Sequence, residues 1–238
     1  MSKTIYTLFL TALFIIGCTN STTPISSNPA VKIASAMKNV MWKGELEAKI
    51  LLDTIANKKG LYGIGPLSGL RGEILINDGQ IYVSKVLTDS TMEVLQPTNV
   101  TAPFFVYAHN TDWQTTSLPN NVRTIADLEK YVDANSQTLR RPFAFKLSGS
   151  IQSATIHIQN LAVGTKVSSP KEAHSGQVKY QLGEKEVDII GFFSTEHQGV
   201  FTHHDTYLHL HLITKYKQQM GHLDEVVLGQ MQVYLPKM

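Results

Sequence analysis

The chain has 238 residues, 42% hydrophobic and 17% charged, with a formal net charge of +2. The near-neutral balance, with no lysine/arginine run, argues against a nucleic-acid protein, which needs a basic face to displace counterions. The apolar content excludes a disordered chain, and a single cysteine excludes an internal disulfide, a zinc finger or an iron–sulfur centre.

The chain opens on a targeting pattern. Lys3 precedes an apolar run from Ile5 to Ile16, broken only by Thr7 and Thr11. The run is too short for a bilayer helix of about twenty residues and suits the apolar core of a secretory signal. It ends Ile15-Ile16-Gly17-Cys18, which resembles a bacterial lipobox. Residues 1–17 are therefore expected to be a signal peptide, Cys18 the lipidated residue of an exported, membrane-anchored protein (periplasmic or cell-surface side), and 18–29 a tether rich in Thr, Ser, Asn and Pro. Residues 30–238 remain for the folded domain.

Apolar spacing predicts a short helix within Ala30–Lys43 and a better one over Glu45–Asn57, where Leu46, Ile50, Leu51 and Ile55 share a face. Gly60 to Gly72 holds many glycines and reads as a loop with special dihedrals or a close approach. It is not a phosphate loop, because Ser68 occupies the third glycine position of G-x-G-x-x-G and no Gly-Lys-Ser/Thr follows. Glu73–Ile76 and Gln80–Val83 flank Asn77-Asp78-Gly79, a hairpin signal. Thr124 to Asn135 reads as a helix capped by Thr124. From Pro142 the pattern is mostly period two: Phe143–Leu147 and Ala154–Ile158, joined near Ser148-Gly149, then Val178–Leu182, Val187–Phe193, Tyr207–Ile213 and Val226–Leu235. The expected class is α+β: mixed or antiparallel sheets, a few helices and two closely joined β subdomains.

Of the nine histidines, His197, His203, His204, His209, His211 and His222 lie close together in the sequence. In Tyr207–Ile213 the strand period sends His209 and His211 to one face and Leu208, Leu210 and Leu212 to the core. A turn-like stretch then leads to His222, which a return strand can bring beside the pair. Three neutral ring nitrogens with open remaining positions are what a catalytic zinc site needs. The bland alternative is a strand with histidines on its wet face. His197, His203 and His204 read as solvated loop histidines. Cupins also use H-x-H on a strand, but Lys215, Tyr216 and Lys217 stand where their glutamate would.

Two segments are similar to the α-acetolactate decarboxylase family: the run Gly60–Tyr82, with its glycine loop, Gly72-Glu73 and Asp78-Gly79-Gln80-Ile81-Tyr82, and Tyr207-Leu208-His209-Leu210-His211 with Gly221-His222. The resemblance implies decarboxylation of 2-acetolactate to acetoin and CO2, with Zn2+ on His209, His211 and His222 and Glu73 as active-site carboxylate. It also implies a cation at Lys146, where the family has an arginine, and a tail glutamate with no counterpart after Glu225. The implied partners are a small-molecule substrate and a membrane reached only through the lipid anchor. No nucleic acid is expected, and a homodimer is left open. Two alternatives remain: a non-catalytic zinc-binding lipoprotein of the same fold, and a metalloenzyme acting on another hydroxy-keto acid.

Overall fold

The structure, a computed structural model, describes residue 1 and residues 28–237. The expected signal peptide, Cys18 and most of the tether lie outside these residues. Asn28 already belongs to the folded part. It is buried, its amide donates to the Arg140 carbonyl at 3.1 Å, and its Oδ1 accepts from the Arg140 N–H at 2.9 Å.

The first half contains β1 (Lys32–Ala34), α1 (Met37–Lys43), β2 (Ile50–Leu51), β3 (Leu61–Pro66), β4 (Glu73–Asn77), β5 (Gln80–Val86), β6 (Met92–Leu95), β7 (Thr101–Ala102), β8 (Phe105–His109) and β9 (Trp113–Ser117). The second half contains α2 (Ile125–Ala134), β10 (Phe143–Ile158), α3 (Pro170–Ala173), β11 (Val178–Leu182), β12 (Lys185–Phe193), β13 (Leu208–Thr214) and β14 (Met220–Pro236). The class is α+β and sheet-rich, as expected, and the pairings between these strands are antiparallel. One six-stranded sheet has the order β1-β8-β3-β4-β5-β6, and a second has the order β11-β10-β12-β13-β14-β9. In the second, β10 also pairs with β14. That pairing closes β10, β12, β13 and β14 into a small barrel.

Strand alternation divides the apolar residues between two layers. Phe143, Phe145, Leu147, Ile189, Phe193, Leu208, Leu210 and Leu212 fill the barrel. The opposite face of the same strands carries Ala144, Ile190, Phe192 and Ile213, which pack on Tyr62, Ile64, Leu75 and Tyr82 of the first sheet. Each large side chain buried here contributes about 1.5–3 kcal/mol, so this interface holds the sheet firmly against the barrel wall. Opposite it, α2 packs Leu128 and Val132 into the barrel cluster. Its start is a capping box: the Thr124 hydroxyl accepts from the Asp127 N–H at 3.1 Å, and the Asp127 carboxylate accepts from the Thr124 N–H at 3.0 Å.

Several expectations need correction. Glu45–Asn57 is not a helix but strand β2 followed by a 3-10 turn at Leu52–Thr54. The N–H groups of Lys49 and Leu52 donate to the carbonyls of Ala102 and Val100, so long-range pairing overrides the local helical spacing. In Ala30–Lys43 only Met37–Lys43 is helical; Lys32–Ala34 pairs with β8, and Ser35 turns the chain between them at φ +60. Half of the glycine-rich segment is the buried strand β3. A Cβ on Gly63 would stand 2.6 Å from the Phe105 ring, so that glycine makes room for a core phenylalanine. The two strands expected around Ser148-Gly149 are one continuous β10, with a register irregularity after Gly149, whose φ is +149.

Candidate metal centre

Three adjacent barrel strands build the centre. His211 on β13 stands directly opposite His222 on β14, and His222 stands opposite His157 on β10. Opposed residues on antiparallel strands share a face, so the three form a row across the wall turned toward the first sheet. His222 stacks on His157 at 4.6 Å between ring centroids and meets His211 at 5.3 Å. His209, two residues before His211 and so on the same face, lies 5.1 Å from both His211 and His222. A Cβ on Gly221 would lie 2.6 Å from the His157 carbonyl oxygen, so glycine there lets β14 approach β10 and seats His222.

Glu73 arrives from the other layer. On β4, Ile74 and Ile76 enter the first sheet's own core, while Leu75 packs at the interface with the barrel. By alternation Glu73 shares Leu75's face. The preceding Gly72 has φ +149, and a Cβ there would stand 2.5 Å from the Ser84 carbonyl oxygen. Glu73 is 2% exposed. Its Oε1 accepts the backbone N–H of Gln159 at 3.1 Å, and its Oε2 lies 3.7 Å from His211 Nε2.

Burial sets the protonation states. Desolvation pushes the Glu73 carboxyl well above the usual carboxylate range; the Gln159 N–H opposes this, and the Asp224 charge adds to it. The same desolvation drives His209 and His222 well below the ordinary imidazole value and pushes His211 down to about 3. The three histidines are therefore neutral and have lone pairs to give. Among the described residues, His209 Nδ1 has no hydrogen-bond partner. One nitrogen from each of His209, His211 and His222 lies within 4.8 Å of the others. These residues fit a divalent metal of the zinc type, which takes imidazole nitrogens at about 2.0–2.1 Å. A second group, His157, His222 and Asp224, meets the same separation. There, however, His157 Nδ1 is already bonded to Asp224 Oδ1 at 2.6 Å, and Asp224 Oδ2 faces Lys179 Nζ at 3.2 Å. Burial pushes Asp224 up, but the bond and charge of His157, with Lys179, outweigh it and hold that carboxyl low.

The structure thus brings together Glu73, His209, His211 and His222 of the residues singled out from sequence. It does not bring Lys146 to them. Lys146 is opposite Tyr234, its Nζ 5.1 Å from that ring's centroid, and among the described residues no lysine or arginine lines the cavity bounded by Glu73, His209 and His222. His203 is not a solvated loop residue: it lines this cavity, with its ring 5.3 Å from His222. His197 is held by Ser194 at 2.7 Å and stacks on Phe201, and His204 is exposed. Sequence reasoning missed His157, Gln159 and Asp224. The available signal was His157 between Ile156 and Ile158, which puts it on the face opposite two core residues.

A six-stranded sheet clasped to a small barrel, with three neutral histidines and a buried carboxyl at the interface, has the donor set of an open, catalytic-type metal site. The profile of the family described as Alpha-acetolactate decarboxylase matches residues 33–238, and the chain belongs to that family. The fold is shared with alpha-acetolactate decarboxylase from Bacillus subtilis strain 168, at 22% identity over 87% of this chain and 86% of that one, with a TM-score of 0.71. It is shared equally with a Staphylococcus aureus protein of unknown function similar to alpha-acetolactate decarboxylase, at 18% identity over 86% and 84%, with a TM-score of 0.72. Among curated proteins none matches the chain.

Proposed function

We propose that this protein converts 2-acetolactate to acetoin and CO2, using zinc on His209, His211 and His222 and Glu73 as the proton donor. The observation that carries the reading is a buried Glu73 with Oε2 3.7 Å from His211 Nε2, its carboxyl raised by desolvation, in a chain of this family. A divalent ion on the three histidines supplies Lewis-acid charge for the oxygens beside the carbon that loses CO2. The chain's own groups do the rest. Loss of CO2 leaves an enediolate, and one proton must be added to carbon to give acetoin. Burial favours the uncharged, proton-holding form of Glu73, as a donor in that step needs. The Gln159 N–H fixes the carboxyl by its other oxygen, so the acidic oxygen stays aimed at the histidines. Met37, Met41, Leu70 and Phe104 form an apolar wall that limits water. Incubating the metal-loaded protein with 2-acetolactate and measuring acetoin tests the reading; no acetoin from protein carrying one metal per chain overturns it.

A second reading, a non-catalytic zinc-binding protein of the same fold, is favoured by one observation: among the described residues no lysine or arginine lines the cavity to meet the substrate carboxylate. It predicts bound metal, lost in His209→Ala, with no acetoin from either form. We also propose export and lipidation at Cys18, supported by Lys3, the apolar run and Gly17-Cys18. Labelled fatty acid should enter the parent and not Cys18→Ala; equal labelling would refute it.

A further inference from the structure

We propose that Gln159 contacts the substrate, its side-chain carbonyl receiving the hydroxyl of a small α-hydroxy acid beside Glu73. The inference rests on the decarboxylase reading and adds a recognition residue to it. Gln159 is 5% exposed and lines the cavity that holds Glu73, His209 and His222. Among the described residues its Oε1 has no hydrogen-bond partner. A buried carbonyl without a donor is costly, and Gln159 shares its cavity with Glu73 and five histidines as well as with Met37, Met41, Leu70 and Phe104.

The neighbours decide which end of the amide faces the cavity. The Gln159 Nε2 lies 3.5 Å from His157 Nε2. His157 Nδ1 is bonded to Asp224 at 2.6 Å. The NH2 end of Gln159 is thus the end turned toward the His157 ring. The carbonyl end is thereby left to accept. An acceptor selects a donor, and the hydroxyl of an α-hydroxy acid is one. The same residue's backbone N–H holds Glu73 Oε1 at 3.1 Å, so the acceptor and the proton donor are fixed relative to each other. Exchange of the side chain leaves that backbone bond in place, which separates the amide's role from the positioning of Glu73.

The test compares metal-loaded parent and Gln159→Met, which keeps length and removes both polar ends. Binding of 2-hydroxyisobutyrate and of isobutyrate is measured by calorimetry, beside metal content and the KM and kcat for 2-acetolactate. The parent should prefer the hydroxy acid, and Gln159→Met should lose about tenfold of that preference, the worth of one neutral hydrogen bond. Its metal content should be unchanged and its KM raised. An unchanged preference in a metal-loaded variant overturns the proposal, as does a parent with no preference. If Gln159→Met does not fold, Gln159→Asn, which keeps the amide but withdraws it by one methylene, must lose the preference or the proposal falls. A parent that prefers the hydroxy acid but makes no acetoin overturns the decarboxylase reading and not the contact.

Discussion

Acid should unfold the metal-stripped protein steeply, and the site fixes the slope. His209, His211 and His222 are buried and neutral, with desolvation as the main cause; His211 is pushed down to about 3. In the unfolded chain each titrates near 6.5. Below that value the unfolded state binds more protons than the folded one, so stability is lost as pH falls. Each such group contributes about 1.4 kcal/mol per pH unit, or about 4 kcal/mol per unit for the three. Glu73 works in the opposite sense. Its folded carboxyl holds a proton that the unfolded chain releases above about 4.3, so it stabilises the fold toward acid and offsets one histidine. From these four groups the net slope between about pH 5 and 6 is therefore about 3 kcal/mol per unit, and His174 and His203, also lowered by burial, add to it. A domain stable by about 5–15 kcal/mol loses a large share of that within two units. Urea unfolding at pH 7, 6 and 5, with and without chelator, measures the slope. Bound metal should move the loss to lower pH, because protons must displace it from the histidines. A stripped His209→Gln/His211→Gln variant should lose roughly two-thirds of the three-histidine slope; a slope equal to the parent's would show that these histidines are not held neutral by burial.

Glu73→Gln should keep its metal and lose acetoin formation by about 100-fold or more, the range of a lost general acid; elemental analysis and the acetoin assay decide it. Gly221→Ala puts a methyl 2.6 Å from the His157 carbonyl oxygen, so β14 must move off β10 and metal content should fall with activity. Retained metal at parental affinity would refute that role for the glycine. Thr124→Ala removes half of the capping box on α2 and should lower stability by about 1 kcal/mol without touching metal content.

What was legible in the sequence was what local pattern enforces. The alternation of Leu208–Ile213 could be satisfied only by a strand with leucines inward, and Asp78-Gly79 turns the hairpin at φ +49 and +83. What was not legible depended on partners far away. Ile50 and Leu51 have helical spacing with Leu46 and Ile55 but are claimed by β7. Gly63 reads as loop until Phe105 is seen against it. The site shows the same division. The H-x-H pair is local, and His222 follows from the return strand. His157 depends on the pairing of β10 with β14, which closes the barrel between residues 65 positions apart (222 − 157). Lys146 shares that strand with His157 but is seated on Tyr234.

The position of the site between two layers also explains how one environment serves two opposite needs. A metal ligand must offer a lone pair, so an imidazole has to be neutral. A proton donor at neutral pH must keep its proton, so a carboxyl has to be neutral as well. Desolvation is the first cause of the shift in Glu73, His209, His211 and His222 alike, raising the carboxyl and lowering the rings. A fixed lysine or arginine in the same wall would help to keep the rings neutral but would pull the carboxyl toward its ionised form. A divalent ion held by the histidines would act on the carboxyl in the same sense. Lys146, seated on Tyr234 outside the cavity, adds no such charge beside Glu73. The proposed hydrogen bond from the substrate to Gln159 fits the same requirement, because an amide orients a hydroxyl without bringing in charge.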